Sequence, residues 1–213
     1  NWPVASVRIG RDDNKNFIIN PTYAQREKSD LDLVVSGPKG LINMIECGSN
    51  EISEADMVKG VELAQGEIQK LIDFQNKIVL VTGAAGSIGS ALCRRIAKLS
   101  PKKLIILDCD ETGIFDMYEE LHGAIYSISN IRDREKIDFV FDSYQPDIVF
   151  HAAAYKHVAL MEIEPNEAYK TNILGTENVL QAATRNKAQK FIFISSDKAV
   201  NPTCWMGKTK KAG

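Results

Sequence analysis

Cysteine and histidine are scarce in this 213-residue chain, which holds four of the first and three of the second. No two cysteines form a C-x-x-C pair, and only His122, His151 and His157 stand beside Cys47, Cys93, Cys109 and Cys204 as further soft ligands. Metal sites need such ligands in clusters, so no metal is expected. The four thiols are expected to be buried and free in a reducing cytoplasm. No apolar run approaches the ~18 residues needed to cross a bilayer. No signal peptide opens the chain, and no initiator Met precedes Asn1. The expectations are a cytoplasmic location, no membrane contact and a missing upstream piece. Net charge is only −2, which excludes a general attraction to nucleic acid or anionic lipid.

What is present falls into two unlike pieces, divided near Gln75 to Lys77. Residues 1–75 hold 8 Lys/Arg and 12 Asp/Glu, and residues 76–213 hold 18 and 16. The first piece reads as a small α+β segment. Residues 4–9 and 17–19 are short β-rich runs, and Asn20-Pro21 ends the second. Leu31, Leu33 and Val35 alternate with Asp32 and Val34 and predict one apolar strand face. Gly37-Pro38-Lys39-Gly40 is a turn signal, and residues 41–45 are the expected return strand of a hairpin over 31–47. Ser53 with Asp56 three residues on predicts a helix start. Met57, Val61, Ala64, Ile68 and Leu71 then form the expected buried stripe.

The second piece opens on Ile78-Val79-Leu80-Val81, a run without a polar break that suits a parallel strand buried on both faces. Thr82-Gly83-Ala84-Ala85-Gly86-Ser87-Ile88-Gly89 follows, then an expected helix over residues 90–99. Between a strand and a helix, this G-x-x-G-x-x-G loop is a dinucleotide fingerprint. Gly83 permits the tight turn, Gly86 lets the backbone approach a pyrophosphate, and Gly89 lets helix and strand pack closely. The helix N-terminus adds free N–H groups and its positive dipole end. A second strand, residues 104–108, ends on Asp108, 25 positions after Gly83. A carboxylate there either binds the adenosine ribose hydroxyls or caps the strand end, and the spacing favours the ribose. It would repel a 2′-phosphate, so NAD is expected over NADP. Further strands at 124–127, 148–150 and 191–194 alternate with helices around 137–141 and 168–183. That alternation predicts an α/β fold, a Rossmann-type doubly wound parallel sheet.

Specific strings extend this reading. Thr82 to Gly89, His151-Ala152-Ala153-Ala154-Tyr155-Lys156-His157-Val158, Asn172 with Gly175-Thr176, and Ser195-Ser196-Asp197-Lys198-Ala199-Val200-Asn201-Pro202-Thr203 together resemble the extended short-chain dehydrogenase/reductases. They are most similar to the polysaccharide-biosynthesis branch that dehydrates UDP-N-acetylglucosamine. The resemblance runs from about Asn76 to Lys210. It implies NAD as carrier of a hydride taken from sugar C4 and returned at C6, with loss of the C5 proton and the C6 hydroxyl between. It implies Asp197 as the acid for the leaving hydroxyl, Lys198 as the base at C5, and Ser196 as a hydrogen-bond partner of the C4 oxygen. Lys210 would hold the nicotinamide ribose and add positive field. Met206 stands in this catalytic set where the wider superfamily places the Tyr of Y-x-x-x-K, and the polysaccharide branch shares that Met. A Ser-Asp pair after a strand is also a common cap, and a lone Lys is commonly a solvated charge. The resemblance further assigns cofactor contacts to Ser87, Ile88, Asn130, Ile131, Ala152, Ala153, Ala154, Lys156 and Asn172. Asn130 departs from the family's usual Asp, Ala159 from its usual Pro, and Trp205 and Lys208 are also atypical.

Residues 2–75 resemble half of a bacterial polynucleotide phosphorylase core. The carrying residues are Pro3-Val4-Ala5-Ser6-Val7-Arg8-Ile9-Gly10, Asn20-Pro21-Thr22, Ser29-Asp30-Leu31-Asp32-Leu33-Val34-Val35, Glu46-Cys47-Gly48 and Ser53-Glu54. The acidic balance argues against RNA as a partner, because neutralising phosphates takes Lys and Arg. The whole then reads as a chimera whose Rossmann part stops at Gly213 short of its substrate-binding portion. A nucleotide sugar, once that portion is supplied, and further copies of the chain are the expected partners.

Overall fold

The computed structural model describes residues 3–213, so Asn1 and Trp2, the start of the first piece, lie outside the described residues. The chain divides into two compact units, Asn1–Asn76 and Lys77–Gly213.

In the first unit, β1 (Ala5–Arg11), β2 (Phe17–Ile19), β3 (Leu31–Gly37) and β4 (Met44–Ser49) form an antiparallel sheet in the order β2-β1-β3-β4. Helix α1 (Tyr23–Lys28) links β2 to β3, and α2 (Glu54–Gln75) follows the sheet. The expected strand face is present: Leu31, Leu33 and Val35 are buried together with Val7 and Ile9. Ser53 caps α2 as expected, its side chain accepting the Asp56 N–H at 3.1 Å. The stripe on α2 is rotated from the expected one. Gly60, Ala64, Ile68 and Ile72 are buried, while Met57, Val61 and Leu71 flank them. A Cβ on Gly60 would lie 3.1 Å from Leu33 Cδ2, so the missing side chain lets the helix sit close to the sheet. The return strand also starts later than expected. Leu41 N–H bonds Pro38 O and Asn43 N–H bonds Ser36 O, so residues 38–43 are consumed by the turn. Arg11 joins three segments, donating to both oxygens of Asp30 and to Asp56; its bonds to Asp30, with one from Lys15, hold the Asp30 carboxyl well below its usual range.

The second unit carries β5 (Ile78–Thr82), β6 (Lys103–Asp108), β7 (Ile125–Ile128), β8 (Ile148–His151) and β9 (Lys190–Phe193). All pair in parallel, in the order β7-β6-β5-β8-β9. The crossovers are α3 (Ser87–Lys98), α4 (Glu111–Glu120) and α5 (Arg134–Tyr144), then α6 (Val158–Ile163), α7 (Pro165–Tyr169) and α8 (Thr176–Arg185) between β8 and β9. Helix α9 (Trp205–Ala212) closes the unit. Val79, Leu80 and Val81 are fully buried, as a central parallel strand requires. The expected Rossmann-type sheet is therefore present. Helix α3 begins three residues before the expected start, because Gly86 caps it and Gly89 lies inside its first turn. The single helix expected near 168–183 is interrupted by a π-helical turn, Lys170–Gly175, between α7 and α8. Of the four thiols only Cys93 is buried; Cys47 and Cys109 are exposed, which corrects the expectation of buried cysteines. Burial pushes the Cys93 thiol up to about 12. Among the described residues no helix is long and apolar enough to cross a membrane, and no group of three His, Cys, Asp or Glu is placed to hold a metal.

Candidate functional site

Strand β5 has β6 and β7 on one side and β8 and β9 on the other, so the order of connection reverses beside it. Open α/β sheets leave a crevice at such a switch, outside the C-terminal strand ends. A cleft of about 490 Å³ lies there. Its lining comes from the segments that follow β5, β6, β7 and β8, together with Thr171 of the π-turn. Gly83, Gly86, Ser87, Ile88, Gly89, Asp108, Asn130, Ile131, Ala152, Ala153, Ala154 and Lys156 all border it.

The glycines differ in what they require. Gly83 has φ +67°, and a Cβ there would lie 2.5 Å from Ala153 N. A Cβ on Gly89 would lie 2.0 Å from Gly83 O. At Gly86 φ is −69°, and the nearest atom to a Cβ would be Gly83 O at 3.3 Å. The protein's own packing thus demands glycine at 83 and 89 and makes little demand at 86. Helices α4 and α5 have side-chain caps from Asp110 and Asp133, whereas α3 has Gly86 and no side-chain cap. Its first-turn N–H groups are left for an anion.

Asp108 serves the loop itself: its Oδ2 accepts the Ala85 N–H at 2.9 Å and its Oδ1 the Asp110 N–H at 3.1 Å. Each oxygen keeps a second lone pair, and the residue borders the cleft. Asn130 uses its Oδ1 to accept the Arg132 N–H at 3.0 Å, which leaves its NH2 group free to donate. Tyr155, His157, Cys109, Asp110, Ser129 and Thr171 also line the cleft and were not singled out from the sequence. Each lies within two positions of a residue that was, Thr171 beside Asn172 and Asp110 two after Asp108.

Asn172 and Lys210 are not among the lining residues. Asn172 is buried and locks the β8 loop to α9: its Oδ1 accepts Tyr155 N–H at 2.8 Å, and its Nδ2 donates to Tyr155 O and Thr209 Oγ1. Lys210 is buried, donates to Ile194 O at 2.9 Å, and lies 4.6 Å from the Phe193 ring centre. Burial lowers its pKa to about 8. Met206 packs with Met161 and Ala168, fixing α9 on α6 and α7. Ser196, Asp197 and Lys198 stand together on one 3₁₀ turn (Asp197–Ala199) and its cap. Ser196 Oγ donates to Asp197 Oδ1 at 3.0 Å, and Lys198 Nζ is 3.6 Å from the same oxygen. The Ser196 hydroxyl and the Lys198 charge lower the Asp197 pKa, and the side chain is 86% exposed.

Residues 79–213 match the family model described as polysaccharide biosynthesis protein, and residues 3–67 match the 3′ exoribonuclease family, domain 2. The probable polysaccharide biosynthesis protein EpsC of Bacillus subtilis is 46% identical over 160 residues, 72% of this chain and 26% of that protein. Such coverage exceeds the second unit, so the likeness reaches back into α2. The inverting UDP-N-acetylglucosamine 4,6-dehydratase of Campylobacter jejuni is 38% identical over 142 residues, 65% of this chain and 42% of that one. Among solved structures, Pen from Bacillus thuringiensis superposes with a TM-score of 0.62 at 36% identity, covering 65% of this chain and 43% of its own. A UDP-glucose-4-epimerase from Stenotrophomonas maltophila, solved with bound NAD and formylated UDP-arabinopyranose, gives 0.58 at 25% identity, covering 64% and 46%. The chain thus spans less than half the length of each of these relatives. Through residues 79–213 it belongs to the polysaccharide biosynthesis protein family.

Proposed function

We propose that residues 77–213 bind NAD and form the dinucleotide part of a nucleotide-sugar 4,6-dehydratase acting on UDP-N-acetylglucosamine. The observation that carries the cofactor half is Gly86. It caps a helix that has no side-chain cap, borders the cleft, and is far less constrained by packing than Gly83 or Gly89, so its bareness serves what enters the cleft. The sugar half rests on relatives named for that chemistry.

The residues fit the cofactor. The N–H groups of the first α3 turn and the bare Gly86 backbone suit a pyrophosphate. The free lone pairs of Asp108 suit ribose hydroxyls. Bound there, NAD would accept a hydride from the sugar and return it. The chain's own residues bind, orient and handle protons. Lys210 is held by Ile194 O and Phe193 at the end of β9, and there it supplies a fixed positive charge. Ser196 positions Asp197 through its hydroxyl. Acid work by Asp197 needs a drier setting, because the Ser196 hydroxyl and the Lys198 charge now hold its carboxyl in the charged form. A second reading follows from that exposure: this chain binds the dinucleotide without turnover. Conversion of UDP-N-acetylglucosamine to a dehydrated product is the assay that separates the two. A product that keeps its water would replace dehydration by epimerisation.

Two expected results test the cofactor half. Gly86→Val should weaken NADH binding by about a hundredfold, roughly the 2.7 kcal/mol that blocks one close approach, in a fluorescence titration. Equal affinities would remove Gly86 from the site. The unmutated chain should also bind NADH far ahead of NADPH. Asp108 lies in a segment, residues 104–131, without a single Lys or Arg to meet a 2′-phosphate. A like-charge pair about 4 Å apart costs roughly 4 kcal/mol at an effective dielectric near 20. Asp108→Ala should narrow the NADH/NADPH ratio even though it also frees the Ala85 N–H and weakens both ligands. An unchanged ratio would leave Asp108 as a strand-end cap only.

Residues 3–67 carry a separate reading through their match to an exoribonuclease domain. Phosphate-dependent shortening of RNA by the chain would establish it. The acidic balance of this unit runs against it.

A further inference from the structure

Arg132 is not a cleft-lining residue, but it contacts several that are. Its Nε donates to Thr171 Oγ1 at 2.7 Å, and its Nη1 donates to Glu167 Oε2 at 2.5 Å. Its guanidinium carbon sits 5.4 Å from the centre of the Tyr155 ring. Its backbone N–H fixes Asn130 Oδ1 at 3.0 Å. The three side-chain contacts therefore join the β7 loop, which carries Arg132, to α7, the π-turn and the β8 loop. Thr171, Tyr155 and Asn130 are cleft-lining residues; Arg132 is not.

The surroundings show that this joint is built closely. Asn178 Nδ2 on α8 donates to both Ile131 O and Arg132 O, at 3.1 and 3.2 Å. A Cβ on Gly175 would lie 2.7 Å from the Ile131 side chain, so the glycine that ends the π-turn lets Ile131 pack in its present position. The π-turn also decides where Thr171 sits, and Thr171 Oγ1 is the acceptor that Nε requires. π-turns inside helices recur at functional positions. A guanidinium suits such a joint because its donors lie in one rigid plane and its face stacks on an aromatic ring, neither of which an ammonium reproduces.

We propose that Arg132 is a positioning residue of the dinucleotide cleft, holding the Asn130–Ile131 wall and the Tyr155–Thr171 wall at the separation that a bound dinucleotide needs. The proposal rests on the NAD reading above. The effect on the ligand passes entirely through the lining residues it holds.

The test uses the 213-residue chain with Arg132→Met, Arg132→Lys, Arg132→Ala and Glu167→Gln. Amide hydrogen exchange of the ligand-free proteins reads the joint without any cofactor. Arg132→Met should speed exchange in residues 129–133 and 154–157 while β5 and β6 keep their protection. NADH fluorescence titration reads the consequence. Arg132→Met should lose about tenfold in affinity, the scale of one charge-assisted hydrogen bond. Arg132→Lys should recover little of it, and Glu167→Gln should lose less. Millimolar guanidinium should restore part of the affinity of Arg132→Ala and none in Glu167→Gln. Unchanged exchange, or loosened walls with wild-type NADH affinity, would each overturn the proposal. So would full rescue by Lys. Should Arg132→Met fail to fold, Glu167→Gln and the guanidinium rescue decide by the same criteria. If the unmutated chain does not bind NADH, the cofactor reading fails, and the clamp is then judged by the exchange data alone.

Discussion

Gly89→Ala should prevent the second unit from folding stably, although it adds a single methyl group. The added Cβ would sit 2.0 Å from the carbonyl oxygen of Gly83, and 2.7 and 2.8 Å from two further backbone atoms of the same loop. No rotamer relieves such a clash, because both partners are main chain. The loop cannot retreat either. Gly83 is itself pressed on Ala153 at φ +67°, and Ala84, behind the loop, is fully buried and donates its N–H to Leu107 O. The expected loss exceeds about 4 kcal/mol, the range reserved for backbone strain and overpacking at a site that cannot collapse. Gly86→Ala is the control from the same loop. Its Cβ would meet only Gly83 O at 3.3 Å, so urea unfolding should change by no more than about 1 kcal/mol, chiefly the difference between Gly and Ala as a helix cap. Equal unfolding curves for Gly89→Ala and the parent would show that helix and strand approach less closely than the spacing requires.

Patterned apolar residues made most of the fold legible. Runs such as 78–81 and 104–107 have no reading other than buried strands once a glycine loop and a helix lie between them. The failures share one physical origin, which is that side-chain apolarity was read and backbone approach was not. Gly60 faces the sheet on α2 because it lacks a side chain, and a count of apolar residues skips it. Gly37 would place a Cβ 2.0 Å from Leu41 O, which folds Leu41 and Ile42 into the turn and delays β4 to Met44. The π-turn at Lys170–Gly175 ends where Ile131, from another part of the chain, packs against Gly175, and no local pattern announces that contact.

The cleft was legible for a related reason. Its floor is the glycine loop, and its walls are the segments that immediately follow strands, so naming the strand ends named most of the lining. Residues that act across the fold were less legible. Asn172 is separated in sequence from Tyr155 and Thr209, which it joins, and only the fold turns it into a buried bracket. Met206 falls on the inward face of α9 and packs against Met161 and Ala168. Arg132 had no role legible in the sequence, because its acceptors lie 35 and 39 positions away.

His151 is the residue whose titration should weaken the second unit most in mild acid. It is fully buried between two hydroxyls, with Nδ1 2.7 Å from Thr82 Oγ1 and Nε2 3.0 Å from Thr176 Oγ1. Thr176 Oγ1 donates its own proton to Asn172 O at 2.8 Å. It must therefore accept from Nε2–H, which leaves Nδ1 to accept from Thr82. That assignment uses each polar atom once and leaves no place for a second ring proton. Burial, and then the charge of Lys210, push the imidazole pKa down from 6.5 to about 3. The folded state thus excludes a proton that the unfolded chain binds below pH 6.5. The stabilisation is fully present above that pH and is lost as pH falls toward 3, at a rate approaching about 1.4 kcal/mol per pH unit. Carboxylates held low, such as Glu167 and Asp197, add their losses only nearer pH 4. Between pH 6.5 and 5 the fall therefore belongs to His151. Urea unfolding of the second unit should show it, and His151→Gln, less stable at pH 7, should show a flatter dependence over the same interval. Parallel curves for the two proteins would mean that His151 takes up a proton in the folded state, and the hydrogen-bond assignment through Thr82 and Thr176 would then be wrong.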